Sequence, residues 1–140
     1  MNKFELTPAF LIGHKKIDSD HAELVNILNE MIDGFRRGDA AFCQEKWQQF
    51  CVMLKQHFRE ESRIMRDFGF VDIDHEEDHK NILARLNIME NNDNSLDNWE
   101  ACLFEMRNDF LSTILKHDLK FAEYLITIGY NEARNRDCHI

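Results

Sequence analysis

An all-α fold is predicted: an up-down-up-down antiparallel four-helix bundle preceded by an irregular amino-terminal arm. Three observations carry that prediction. Apolar residues recur at steps of three and four in four separate stretches, short polar or glycine-bearing connections join those stretches, and the 140 residues include only five Gly and one Pro, Pro8. At 16.7 kDa the chain is about one domain's worth, with no internal repeat and no low-complexity segment.

Residues 1–17 hold Pro8 and Gly13 and follow no clean period, so they form the arm. Asp18 is the expected N-cap of a first helix from Ser19 to about Phe35, with the stripe Leu24, Val25, Leu28, Met31, Ile32 and Phe35. Gly34 and Gly38 stop it. Asp39 caps a second helix, whose stripe runs through Trp47, Phe50, Leu54, Phe58, Ile64, Met65 and Phe68 to the stop at Gly69. A third helix starts between Asp72 and Asp74 and carries Ile82, Leu83, Leu86 and Met89 before the polar loop Asn91-Asn92-Asp93-Asn94. Ser95 caps the fourth, whose face is Leu103, Met106, Phe110, Ile114, His117, Phe121, Leu125 and Ile128, ending near Gly129 or Tyr130. The bundle spans 18–130, and 131–140 is a carboxy-terminal tail.

Lys and Arg number 17 against 26 Asp and Glu, a formal net charge of −9, so nucleic acid and anionic membranes are poor partners. The apolar runs are too short to span a bilayer, and the start MNKFELTPAF lacks the cationic head and apolar stretch of a secretory signal. Cys43, Cys51, Cys102 and Cys138 form no CxxC pair and read as reduced thiols, which makes the cytoplasm the expected compartment.

Chemistry enters where polar residues interrupt the apolar stripes. His21 continues the first stripe backward by one turn. His57 and Glu61 are four apart on the second helix, as are His75 and His79 on the third, and the fourth supplies His117 and Asp118. A lone histidine on such a stripe is ordinarily a hydrogen-bonded core residue, and a metal-free bundle with mutually bonded histidines is the plain alternative. Five histidines and two carboxylates converging from four helices point instead to bound metal, because burying them unpaired costs several kcal/mol each by typical desolvation figures. Imidazole and carboxylate without thiolate favour iron or manganese over structural zinc, and a carboxylate able to bridge suits two ions.

Other candidates read as ordinary structure. His14 and His139 lie off the stripes and are expected at the surface. Met31, Met53, Met65, Met89 and Met106 fill core gaps, and Arg59, Glu60, Arg63, Arg66 and Asp67 form a solvated face. Trp47, Phe50, Phe58, Ile114 and Phe121 would wall off a metal site from water.

The segments Ile17-Asp18-Ser19-Asp20-His21 and His57-Phe58-Arg59-Glu60-Glu61 with Met65, and the pair His75 and His79, resemble the hemerythrin family, in particular bacterial hemerythrin-like domains. The resemblance spans nearly the whole chain. It implies a non-haem di-iron centre with an oxo or hydroxo bridge that binds dioxygen reversibly and turns over no substrate. By position, His21 and His57 would hold the iron with the open site, His75 and His79 the other, and Glu61 and Asp118 would bridge.

The family's final HxxxxD is absent, since five residues beyond His117 stands Ala122. Aligned on Asp118-Leu119-Lys120-Phe121-Ala122-Glu123-Tyr124-Leu125, Asp118 is the bridge and Thr113 takes the usual histidine position, with His117 one turn further on as a shifted candidate ligand. The reading is therefore an oxygen carrier, store or oxygen/redox sensor. Its alternatives are a di-iron redox enzyme acting on peroxide, nitric oxide or ferrous iron, and a signalling module whose protein partner acts in trans.

Overall fold

The helices after Asp39 and Ser95 begin where a side chain satisfies a free backbone donor, and Gly38, Gly69 and Gly129, all at positive φ, follow the ends of three helices. The computed structural model describes residues 2–90 and 95–130. The polar loop 91–94 and the tail 131–140, with Cys138 and His139, lie outside the described residues. Helix α1 spans Lys15–Arg36, α2 Ala40–Asp67, α3 Ile73–Glu90 and α4 Leu96–Thr113. A π-helical turn, Ile114–Asp118, then leads into α5, Leu119–Thr127. The junction residues all keep right-handed helical dihedrals, so α4, the π turn and α5 make one continuous fourth helix. Among the described residues there is no strand, and no helix is long and apolar enough to cross a membrane.

Two caps stand where the sequence puts them. Asp39 accepts from the Phe42 N–H at 3.0 Å and Ser95 Oγ from the Asn98 N–H at 3.2 Å. Gly69, at φ +77°, takes the left-handed conformation that closes α2. The first helix departs from expectation, starting at Lys15 rather than Ser19. Asp18 does not cap it but reaches back, accepting from the Ile12 and Gly13 N–H groups at 2.8 and 3.1 Å and tying the arm to the first turn. The arm contains a single 3₁₀ turn, Pro8–Phe10, and lies along α1, where the Asn29 side chain bonds both backbone groups of Phe4 at 2.8 and 3.0 Å.

Packing produces two apolar regions with a polar layer between them. The larger joins Leu24, Leu28 and Met31 of α1 to Phe50 and Leu54 of α2, Ile82 and Leu86 of α3, and Met106 and Phe110 of α4. The smaller joins Ile12 and Ile17 to Ile64, Met65, Phe121 and Leu125. Along α1 the order is Ile17, His21, Leu24; along α2 it is Phe58, Glu61, Ile64; along the fourth helix it is Ile114, Asp118, Phe121. Burial of each large aliphatic or aromatic side chain contributes roughly 1.5–3 kcal/mol, so the two regions clamp the layer from both sides. Cys43, Cys51 and Cys102 are free thiols within the core. Contacts between α1 and α2 are the most extensive, and the remaining helix contacts are consistent with a bundle. Ile128, expected on the buried face, is instead 49% exposed, just past the end of α5.

At Gly34 the side chains of Phe42 and Cys43 on α2 press close to the backbone of α1. A Cβ there would stand 2.5 Å from Phe42 Cδ1 and 3.3 Å from Cys43 Sγ. Gly34→Ala is expected to destabilise the fold by about 1–3 kcal/mol, toward the lower end because Phe42 is only half-buried and can swing aside. Chemical denaturation of the two proteins measures it.

Candidate metal centre

The polar layer assembles two groups of four donors that share both carboxylates. His21, His57, Glu61 and Asp118 form one, and Glu61, His75, His79 and Asp118 the other; within each group the donor atoms lie within 4.8 Å of one another. All six residues are buried, none more than 5% exposed. The i, i+4 spacing on α2 and α3 stacks His57 over Glu61 and His75 beside His79.

Each carboxylate divides its two oxygens between the groups. Glu61 Oε2 lies 2.9 Å from His57 Nε2 and 3.5 Å from His21 Nε2, while Oε1 lies 3.0 Å from His75 Nε2 and 3.4 Å from His79 Nε2. Asp118 Oδ2 lies 3.1 Å from His21 Nε2 and Oδ1 lies 2.7 Å from His75 Nε2. These separations are short, yet the atoms do not aim at each other. The Nε2 atoms of all four histidines, both Glu61 oxygens and Asp118 Oδ1 are buried without a hydrogen-bond partner. Donors about 2.1 Å from a common ion stand roughly 3 to 4 Å apart, which is the spacing seen. Orphaned lone pairs converging at that spacing fit a metal ion in each group, whereas a purely hydrogen-bonded cluster would align them.

Without metal the layer holds protons. Burial pushes His21 and His75 down, but Asp118 and Glu61 together outweigh it and raise both to about 10. His57 is also raised: burial opposes its charge, and Glu61 and Asp20 more than reverse that. Burial works against the Glu61 carboxylate, yet His57, His21 and His75 hold it well below the usual range.

Asp20, quoted in the resemblance but given no role there, supports the donor layer from behind. The His57 Nδ1–H donates to Asp20 Oδ2 at 3.1 Å, which leaves Nε2 free to face the donor group. Lys16 in turn reaches Asp20 at 3.0 Å and Glu60 at 3.3 Å. The signal was faint: Asp20 is four residues after Lys16 and adjacent to His21, a pattern any helix surface can show.

The π turn decides the fourth helix. By widening one turn from i+4 to i+5 it brings Asp118 inward with Thr113, five residues earlier, and both are buried at 1%. His117 is brought into neither group. Its ring stacks on His75 with centroids 5.1 Å apart, and its nitrogens face Asp72 and Asp78 at 3.9 and 3.8 Å. His14, expected at the surface, is half-buried, stacked on Tyr130 and T-shaped to Phe68, and belongs to neither donor group. Of the expected aromatic walls, Phe58 stacks on His79 at 3.7 Å, and Phe110, not singled out beforehand, packs its edge on His21.

No family model matches the chain, and no curated protein matches it significantly.

Three outcomes follow for the centre itself. Loading must displace protons from His21 and His75, so metal uptake should release protons and strengthen with pH between about 6.5 and 10, read by calorimetry in buffers of different ionisation enthalpy. In the metal-free protein the raised histidines contribute stability in full below their ordinary value of 6.5 and lose it as pH rises toward 10. Glu61 contributes above its ordinary 4.5 and loses its contribution on acidification through its lowered value. A melting temperature flat from pH 7 to 10 would contradict this assignment. Removing the negative charge behind His57, in Asp20→Asn, should weaken metal affinity by up to about 10–100-fold while the fold persists, as measured by chelator competition and circular dichroism.

Proposed function

We propose that this chain is a non-haem dinuclear metal protein of the hemerythrin type, in which His21 and His57 hold one iron, His75 and His79 the other, and Glu61 and Asp118 bridge them. The observation that carries the reading is the division of each carboxylate, one oxygen toward each histidine pair. Two iron ions held there would supply electrons in pairs to dioxygen, the proposed partner. Support for the antiparallel bundle comes from the order of regions along the helices. The first passes from the small apolar region to the large one, the second returns, and the fourth runs from large to small.

The protein's own residues set the conditions. Phe58 and Phe110 cover imidazole faces and keep water from His79 and His21. Asp20 fixes the orientation of His57 and gives its Nδ1 proton a partner.

Thr113 favours a second reading. Its hydroxyl is buried without a partner at the position where the resemblance would put a histidine, and His117 does not replace it. Each group then offers two imidazoles and the same two carboxylates, an even donor set. Such a site suits redox turnover of peroxide or nitric oxide, or oxidation of iron, as well as reversible carriage.

The test is metal analysis with an absorption spectrum recorded after anaerobic reduction and again in air. About two irons per chain and charge-transfer bands that bleach and return through many cycles are expected for carriage. Bands that return once and fade, with hydrogen peroxide consumed when reductant is present, would select the redox reading. Less than one iron per chain, or equal melting temperatures with and without iron, would overturn both.

A further inference from the structure

Beside His79 the surface charge of this acidic protein reverses. A groove of about 530 Å³ between α2 and α3 is lined by Lys55, Arg59 and Arg66 of α2 and Lys80 of α3, with Glu76 the single acid among its lining residues. Arg66 is paired with Glu76 at 2.7 Å; Arg59 and Lys80 are exposed and have no ion pair among the described residues. The net charge of the whole chain is −9, so this local excess of cations runs against the surface as a whole. Phe58 and His79 also line the groove, stacked on one another with centroids 3.7 Å apart and planes 7° from parallel. His79 Nε2 lies 3.4 Å from Glu61 Oε1. The groove therefore meets the donor layer through one pair of stacked rings.

Length indicates what kind of anion fits. From Lys55 to Arg66 is eleven residues of one helix, roughly 16 Å at about 1.5 Å per residue. That is several times the width of a phosphate and matches a row of carboxylates on a protein surface. We infer that this strip docks the acidic face of a one-electron donor protein, placing the donor against the Phe58–His79 stack. The inference rests on the metal-centre reading above. In each encounter the donor's reduced centre loses one electron and the metal pair gains it; no bond forms or breaks and no proton need cross the interface. Opposite charge would steer the encounter and set its salt dependence.

The probe is an acidic plant-type ferredoxin, titrated against the protein as purified by calorimetry at low ionic strength. Arg59→Glu and Lys80→Glu are each expected to weaken its binding at least about fivefold, with added salt doing the same to the unmodified protein, while Lys120→Glu, an equal charge change away from the groove, stays within about twofold. Neither groove residue belongs to a donor group. Equal effects of all three substitutions, or no binding at low salt, overturn the inference. So does displacement of ferredoxin by inorganic phosphate at an ionic strength where sodium chloride does not displace it, since the strip is then a small-oxyanion site. A second readout separates this inference from its premise. Reduced methyl viologen, a small cation, should reduce the loaded centre of Arg59→Glu as fast as that of the unmodified protein, while reduction by ferredoxin slows. If neither reagent reduces the centre, the metal-centre reading fails. If both reduce it at rates indifferent to Arg59, the docking strip fails.

Discussion

Two carboxylates and four imidazoles buried in one layer of a helical protein are the constraint on which the rest of the structure depends. Each would cost several kcal/mol if desolvated without compensation, and the Nε2 atoms of all four imidazoles and both Glu61 oxygens are buried without a hydrogen-bond partner. The apolar regions above and below it have a double task. They supply the favourable burial that holds four helices together, and they fix the donors at short range so that ions or protons can occupy the space between. The main apolar region can pack without metal, which is why a metal-free form is expected to fold and to carry protons where the ions would be.

The fourth helix had to break its own regularity to serve the layer. In an unbroken α-helix, the side chain four residues after Thr113 would share its face, and that residue is His117. One π turn shifts the register so that Asp118 takes that place while Phe110 and Ile114 before it and Phe121 after it stay in the core. A regular helix could keep the apolar steps or bring the carboxylate inward, and the inserted turn does both. Such turns are uncommon and tend to occur at functional sites, because they persist only where a specific side-chain placement is worth a poorer backbone ladder.

Much of this was legible in the sequence, for identifiable reasons. The stripes of α1 to α3 are ordinary 3.6-residue patterns, and histidine or glutamate within them stands out because nothing else polar does. Two of the helix caps were legible because Asp39 and Ser95 bond forward, locally, to donors three residues on. Asp18 misled because the same side chain can bond backward, and the choice depends on how the arm lies against α1, a tertiary matter. The π turn left no periodic trace: Phe110, Ile114 and His117 keep perfect α spacing, so pattern alone favoured His117 as the inward residue. Only the alignment of Asp118 with its following segment pointed the other way. Asp20 was illegible for a different reason, since its importance lies wholly in its 3.1 Å contact with a residue thirty-seven positions away.

The two histidine pairs are alike in their donors but not in what stands behind them. His57 is backed by a carboxylate, and through it by Lys16 and Glu60 at the surface, a polar chain that stabilises positive charge on the imidazole and strengthens it as a donor. His79 is backed by the flat face of Phe58, and its Nδ1 is buried without a partner. Ions in the two groups would therefore differ in electron richness even though the first ring of ligands is the same, the one near His57 being better supplied. Both carboxylates belong to both donor groups, so that difference in the surroundings is what distinguishes the two histidine pairs. It places a polar chain reaching the surface on the α1–α2 side of the layer and an apolar, ring-stacked contact on the α2–α3 side.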